Sequence, residues 1–214
     1  MIVLETLNRR EAIRYLGGAK VEINSKMQEL MDECEQMILS AASPKYLYKM
    51  IELPCKEIVK GKDIASHLDG CDKAILMCAT LGSEVDRLIR ITEISDMAKA
   101  VVLDSFASVA VEQVCCKVDE LLAQKYPESY FTFRFSPGYG DYPIEMQGYF
   151  LRTLDAQRKI GLTANSNSLL IPSKSVTAVA GVSKSPVEKK KRGCAVCNMR
   201  DICKFRRNGE HCGF

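Results

Sequence analysis

At 214 residues, 47% hydrophobic, 27% charged and 7% aromatic, the chain is long enough to bury one sizeable core and has the composition of an ordinary globular domain. A formal charge of +3 is too small to argue for a nucleic-acid partner, and the one dense basic run, Lys189-Lys190-Lys191-Arg192, reads as a solvated linker. No apolar run reaches the about eighteen residues of a membrane span, and charges within Met1 to Arg14 interrupt any export-signal core, so a cytoplasmic protein with reduced thiols and no membrane partner is expected.

Asn8 can cap a short helix through Arg9 to Leu16, stopped by Gly17-Gly18. A second helix is expected from Ser25, with Gln28 completing a capping box and Met27, Leu30, Met31, Cys34, Met37, Ile38 and Ala41 recurring at helical spacing before Pro44. Tyr46 to Leu53 reads as a strand and Asp63 to Leu68 as a helical turn, where His67 stands alone and reads as a surface or capping residue. Lys73 to Thr80 is a continuous apolar run, the pattern of a buried strand, and leads through Leu81-Gly82-Ser83 into a helix at Glu84. The longest helix spans about Ser95 to Lys125 and carries a broad apolar surface; Asp104 and Glu112 share one of its faces, as solvated carboxylates or more. Tyr130 to Phe135 alternates like a half-exposed strand and breaks at Ser136-Pro137-Gly138. A helix from about Ile144 to Lys159 and strand-like runs at Ser168–Ile171 and Ser175–Val182 complete an α+β order: a C-shaped or compact domain with a mostly antiparallel sheet and several helices.

The segment Arg134-Phe135-Ser136-Pro137-Gly138-Tyr139-Gly140 is the candidate ligand loop. An arginine at a strand end can offer its planar fork to a carboxylate. Pro137 fixes the chain direction, and Gly138 removes a side chain that would keep a ligand from the backbone. Tyr139 and Tyr142 offer flat aromatic surface for a purine or a sulfonium. The same residues also read as a turn with an exposed tyrosine.

Read with its surroundings, this stretch resembles the activation domain of cobalamin-dependent methionine synthase. Arg134 to Tyr139 is similar to that family's Arg-x-x-x-Gly-Tyr loop, Lys159 to Pro172 to the stretch after it, and Ser173-Lys174-Ser175-Val176-Thr177 to the segment completing the site. Cys78 to Gly82, Val85-Asp86 and Asn8 to Gly17 match the strand-turn-helix and opening helix of free-standing members. The resemblance implies S-adenosylmethionine binding, with Arg134 at the ligand carboxylate, Ser136, Gly138 and Tyr139 supplying backbone and ring contacts, and Glu112 meeting the amino group or ribose. It implies a partner, a cobalamin-binding methionine synthase or other corrinoid protein whose cob(II)alamin is reductively methylated, and a flavodoxin-like or ferredoxin-like electron donor. No catalytic acid or base is required, because the reduced corrinoid is itself the nucleophile and positioning is the protein's contribution. A non-enzymatic S-adenosylmethionine-binding adaptor of a corrinoid methyltransferase, or an iron–sulfur electron carrier, are the alternatives.

The chain departs from the family in two ways that touch the site. No paired tyrosine follows Gly181, and the family's N-terminal aspartate contact has only Glu5 and Glu22 as counterparts. No Asp-x-His-x-x-Gly signature of a cobalamin module occurs, so the corrinoid is expected on a separate chain.

Ten cysteines are unevenly placed. Cys34, Cys55, Cys71, Cys78, Cys115 and Cys116 read as core filler, whereas Cys194, Cys197, Cys203 and Cys212 fall in the last 21 residues. Four thiolates at that spacing suit tetrahedral zinc or an iron–sulfur cluster, with His211 as a substitute ligand, or stay as reduced thiols. The expected organisation is a ligand-binding domain at 1–183, a basic linker at 184–193 and a cysteine-rich tail at 194–214.

Overall fold

In a computed structural model, which describes residues 2–17, 23–187 and 201, an antiparallel sheet lies between two layers of helices. The sheet has four strands in the order β1 (Lys45–Glu52), β2 (Lys73–Thr80), β6 (Ser175–Ser183) and β3 (Tyr130–Phe131). A two-stranded ladder, β4 (Thr163–Ala164) with β5 (Leu170–Ile171), sits apart from it.

One face of the sheet packs under α1 (Arg9–Tyr15), α2 (Ser25–Ala41), α4 (Ser83–Ser95) and α5 (Met97–Lys125). The other packs under α3 (Lys62–Leu68), α6 (Met146–Leu154) and α7 (Ala156–Ile160). Strand β2 explains why its sequence has no polar period: Ile75, Met77 and Ala79 face the α5 layer, while Ala74, Leu76 and Cys78 face the α3/α6 layer. Every residue from Ala74 to Thr80 is buried, so both faces of the strand demand apolar side chains. The pattern ascribed above to a buried strand is here met by an antiparallel one.

Helix ends follow side-chain capping. Asn8 caps α1 through Glu11, as expected. For α2 the cap is Asn24, which accepts from the Met27 N–H at 3.0 Å, and Ser25 is already the first helical residue. Asp96 accepts from the Lys99 N–H at 3.0 Å and separates α4 from α5. The helix expected from Ile144 to Lys159 is broken at Asp155, whose φ of 54° lies in the left-handed region that Asp tolerates better than most residues.

The segment after β3 departs from a regular strand in the way that matters most for the site. Phe131 pairs with Val182 and Phe135 bridges Val179, so four steps on one strand meet three on the other. One extra residue, a β-bulge, is thereby accommodated at Thr132-Phe133. Phe131 packs on the α5 side and Phe135 on the α3/α6 side, the reverse of what uninterrupted alternation would give. Arg134 is consequently turned toward α5. Gly181 makes room for the bulge: a Cβ there would lie 2.5 Å from Cys71 Sγ and 3.1 Å from Thr132 Cγ2.

His67 is buried rather than superficial. Its Nε2 lies 2.9 Å from Thr132 Oγ1 and its ring packs against Phe133 and Phe135, because the bulge delivers those three residues to α3.

Candidate functional site

Arg134 leaves the bulged strand and lies against one face of α5. Its Nη1 donates to Asp119 Oδ2 at 2.6 Å and its Nη2 to Glu112 Oε2 at 3.1 Å, with Cys116 Sγ 4.0 Å from Nη2. Residues 112, 116 and 119 recur at spacings of four and three, which stack them on one helical face. The Arg134 side chain is 18% exposed, whereas Glu112 and Asp119 are 51% and 50% exposed, so the guanidinium lies beneath two carboxylates that reach solvent. Burial alone lowers the pKa of Arg134, but its anionic neighbours, the carboxylates of Asp119 and Glu112, outweigh it and leave the group more firmly charged than a free arginine. One cation faces two anions, and the surplus negative charge suits a ligand that brings an ammonium together with its carboxylate.

The same face of α5 continues to Asp104 and Ser108, where Lys174 pairs at 2.7 Å and donates at 3.0 Å respectively. The two carboxylates expected as solvated are thus both engaged, Asp104 by Lys174 and Glu112 by Arg134. They are separated by about 12 Å along the helix, at 1.5 Å per residue. Lys174 belongs to a segment tied to the β2–α4 turn. Ser173 donates through N–H and Oγ to Asp86 at 2.7 and 2.8 Å, Leu81 N–H donates to Lys174 O at 3.0 Å, and Ser175 Oγ donates to Thr80 Oγ1 at 2.8 Å. Two stretches quoted above as separate points of resemblance therefore form one hydrogen-bonded unit.

The loop after Arg134 is held from the other side of the sheet. Gly138 has φ 93° and donates to Tyr142 O at 2.8 Å; Tyr139 N–H returns to Ser136 O at 3.2 Å. Asp141 then accepts from the N–H groups of Lys62 and Asp63 at 2.7 and 2.9 Å, capping α3. Those bonds hold its carboxyl below the usual range. Tyr139 is 64% exposed and presents its ring to solvent, as a ligand-facing aromatic must. Tyr142 does not: it is 1% exposed, packed between Phe135 and Phe150, and its hydroxyl has no hydrogen-bond partner among the described residues. Its expected role as a second ligand surface is corrected to that of a core residue, since the loop closes over it.

Three of the six cysteines read as core filler are core residues. Burial pushes the thiols of Cys34 and Cys78 up to about 11 and about 12, and that of Cys115 further still, so all three stay protonated and inert. Cys55 and Cys71 are partly exposed, and Cys116 is exposed beside Arg134. Among the described residues no group of His, Cys, Asp and Glu could hold a metal. Cys194, Cys197, Cys203 and Cys212 lie outside the described residues, as does all of the expected tail but Asp201. Among the described residues no helix is long and apolar enough to cross a membrane.

Of the residues singled out in the sequence, Arg134 and Glu112 are in contact across to α5, whereas Ser136, Gly138 and Tyr139 lie on the following loop, which is bonded within itself and fastened to α3 through Asp141. Sequence reasoning missed Asp119 and Cys116, although the i, i+4, i+7 spacing from Glu112 was available as a signal.

No family model matches the chain, and no curated protein matches it. Among solved structures it is similar to the crystal structure of the MetH reactivation domain bound to AdoHcy, with a TM-score of 0.65 and 13% sequence identity over 95% of this chain and 82% of that one. At that identity the likeness is one of fold. The antiparallel α+β architecture that the resemblance to activation domains implies is the one this chain adopts.

Proposed function

We propose that this chain binds S-adenosylmethionine at the Arg134 loop and supports the reductive methylation of cob(II)alamin on a corrinoid partner, a cobalamin-dependent methionine synthase or a related protein. The observation that carries the reading is the shared fold with a reactivation domain bound to AdoHcy, the demethylated counterpart of that ligand. The donor set fits. Arg134 takes the ligand carboxylate, Glu112 the ammonium, the backbone at Ser136 and Gly138 the intervening polar atoms, and the exposed ring of Tyr139 rests against the adenine or sulfonium. When bound, S-adenosylmethionine supplies an already activated methyl group. The chain's own contribution is to hold that ligand in a fixed orientation on a face open to the partner, and no residue need move a proton.

The role is that of a methyltransferase subunit, active with its partner and with a flavodoxin-like or ferredoxin-like electron donor. Cys194, Cys197, Cys203 and Cys212 are proposed to hold zinc or an iron–sulfur cluster beyond a linker at 184–193. An anaerobic preparation that is brown and carries iron supports the cluster; a colourless one that contains stoichiometric zinc supports the zinc site. One with neither metal removes both.

The test of the function mixes the protein with a cob(II)alamin-loaded partner, a chemical reductant and S-adenosylmethionine. Appearance of the methylcobalamin spectrum, dependent on this chain, is the expected result. Ligand binding without methyl transfer would leave an adaptor that binds S-adenosylmethionine and would sink the reactivation role.

A further inference from the structure

Both ends of the Arg134 fork are taken, one by Asp119 and one by Glu112. A ligand carboxylate that displaced both would leave two carboxylates without a guanidinium contact, and the ligand's single ammonium can answer only one of them. A carboxylate that displaces one end leaves a neutral arginine–aspartate or arginine–glutamate pair in place. The geometry distinguishes the two. The Asp119 contact is 2.6 Å, in the range of a strong charge-assisted bond, while the Glu112 contact is 3.1 Å and is shared with Cys116 Sγ at 4.0 Å on the same nitrogen. The longer glutamate side chain, half exposed, is free to swing toward solvent, whereas the aspartate has one fewer rotatable bond.

We infer that Asp119 is a positioning residue for this site: it keeps hold of Nη1 and so fixes the plane of the guanidinium, while Glu112 exchanges, giving Nη2 to the ligand carboxylate. This rests on the function proposed above. With Asp119 in place, Glu112 is left to face the ligand's ammonium, and each charge of the amino-acid head group meets one opposite charge. Without Asp119, Glu112 becomes the one carboxylate on Arg134 among the described residues and competes with the ligand for it.

The test is calorimetry of the full chain and of Asp119→Asn with three ligands: S-adenosylmethionine, S-adenosylhomocysteine, and 5′-methylthioadenosine, which keeps the adenosine and sulfur but lacks the head group. The expected result is a weakening of about tenfold for the first two, the loss of one charge-assisted bond's worth of orientation, with 5′-methylthioadenosine unchanged. Asp119→Glu restores most of the loss. Equal affinity of Asp119→Asn and wild type for all three ligands overturns the inference, and an equal loss for all three marks Asp119 as merely structural and overturns it too. Wild-type protein that binds none of the ligands overturns the function proposed above, and this inference with it. A measurement independent of any variant is guanidinium 15N NMR of the wild type during titration with S-adenosylhomocysteine. The Nη2 signal of Arg134 is expected to shift and Nη1 to stay, and movement of Nη1 contradicts the assignment.

Discussion

Asp63 and Asp141 cap each other's backbones: the Asp141 carboxylate accepts the Asp63 N–H at 2.9 Å and the Asp63 carboxylate accepts the Asp141 N–H at 3.1 Å. The N-cap residue of α3 is Gly61, which has no side chain to offer, so Asp141 satisfies the helix's first N–H groups from 78 residues away in sequence. That reciprocal pair is what fastens the Arg134 loop to the fold. Because the pKa of Asp141 is lowered by these backbone bonds, its contribution to stability is complete above the unfolded value of about 3.9 and is lost as pH falls through the folded value below it. Thermal unfolding followed between pH 6 and 2.5 should therefore show a low-pH loss of Tm that is shallower in Asp141→Asn. Superimposable pH profiles would mean that Asp141 does not cap α3.

Two glycines with positive φ, Gly140 in the Arg134 loop and Gly70 in the α3–β2 turn, differ in what they tolerate. A Cβ at Gly140, where φ is +55°, would sit 2.0 Å from Asp63 Oδ2, whereas at Gly70, with φ +75°, it would meet nothing within 4 Å. Gly70→Ala is expected to cost about 1 kcal/mol through backbone strain alone, and Gly140→Ala about 2–4 kcal/mol because the capping pair must also shift. Urea denaturation of both variants checks the difference; equal costs would remove the steric argument.

Tyr142 buries a hydroxyl that has no hydrogen-bond partner among the described residues, which carries a desolvation cost. Tyr142→Phe is expected to raise stability by about 0.5–2 kcal/mol in chemical denaturation. A loss of more than about 1 kcal/mol would show that the hydroxyl makes a stabilising bond in solution.

The core strand β2 has no room to adapt, since both its faces are covered. Leu76→Ala, at a position with no exposure, should cost about 2–5 kcal/mol. Exposed Leu169→Ala should stay within about 0.5 kcal/mol, and a comparison of denaturation midpoints distinguishes them.

Much of this fold is legible in the sequence where one local rule decides. Lys73 to Thr80 reads as a buried strand because an uninterrupted apolar run has few other uses, and Asn8 marks a helix start because its side chain supplies the missing acceptor. The site is less legible because its key feature is a pairing event. Tyr130 to Phe135 alternates without fault, so nothing within it reveals that Thr132 and Phe133 share a face and that Arg134 is thereby turned onto α5. The trace lies elsewhere, in Gly181, whose missing side chain admits Thr132; an isolated glycine inside a strand pattern is the sign of a bulge. The burial of His67 and Tyr142 follows from the same event and was equally hidden. Asp155 ends α6 by adopting a left-handed conformation that its helical neighbours give no hint of.

The central claim is that Arg134 binds the carboxylate of S-adenosylmethionine. Its two carboxylate partners are half exposed and stay solvated without it, so the variant is expected to fold, at a cost set by the packing of the arginine stem. The direct measurement is isothermal calorimetry of S-adenosylmethionine with wild type and Arg134→Ala, each shown folded by circular dichroism. Saturable binding to the wild type and a loss of roughly 2–4 kcal/mol in the variant are expected; a folded variant that binds as tightly as the wild type would contradict the role of Arg134.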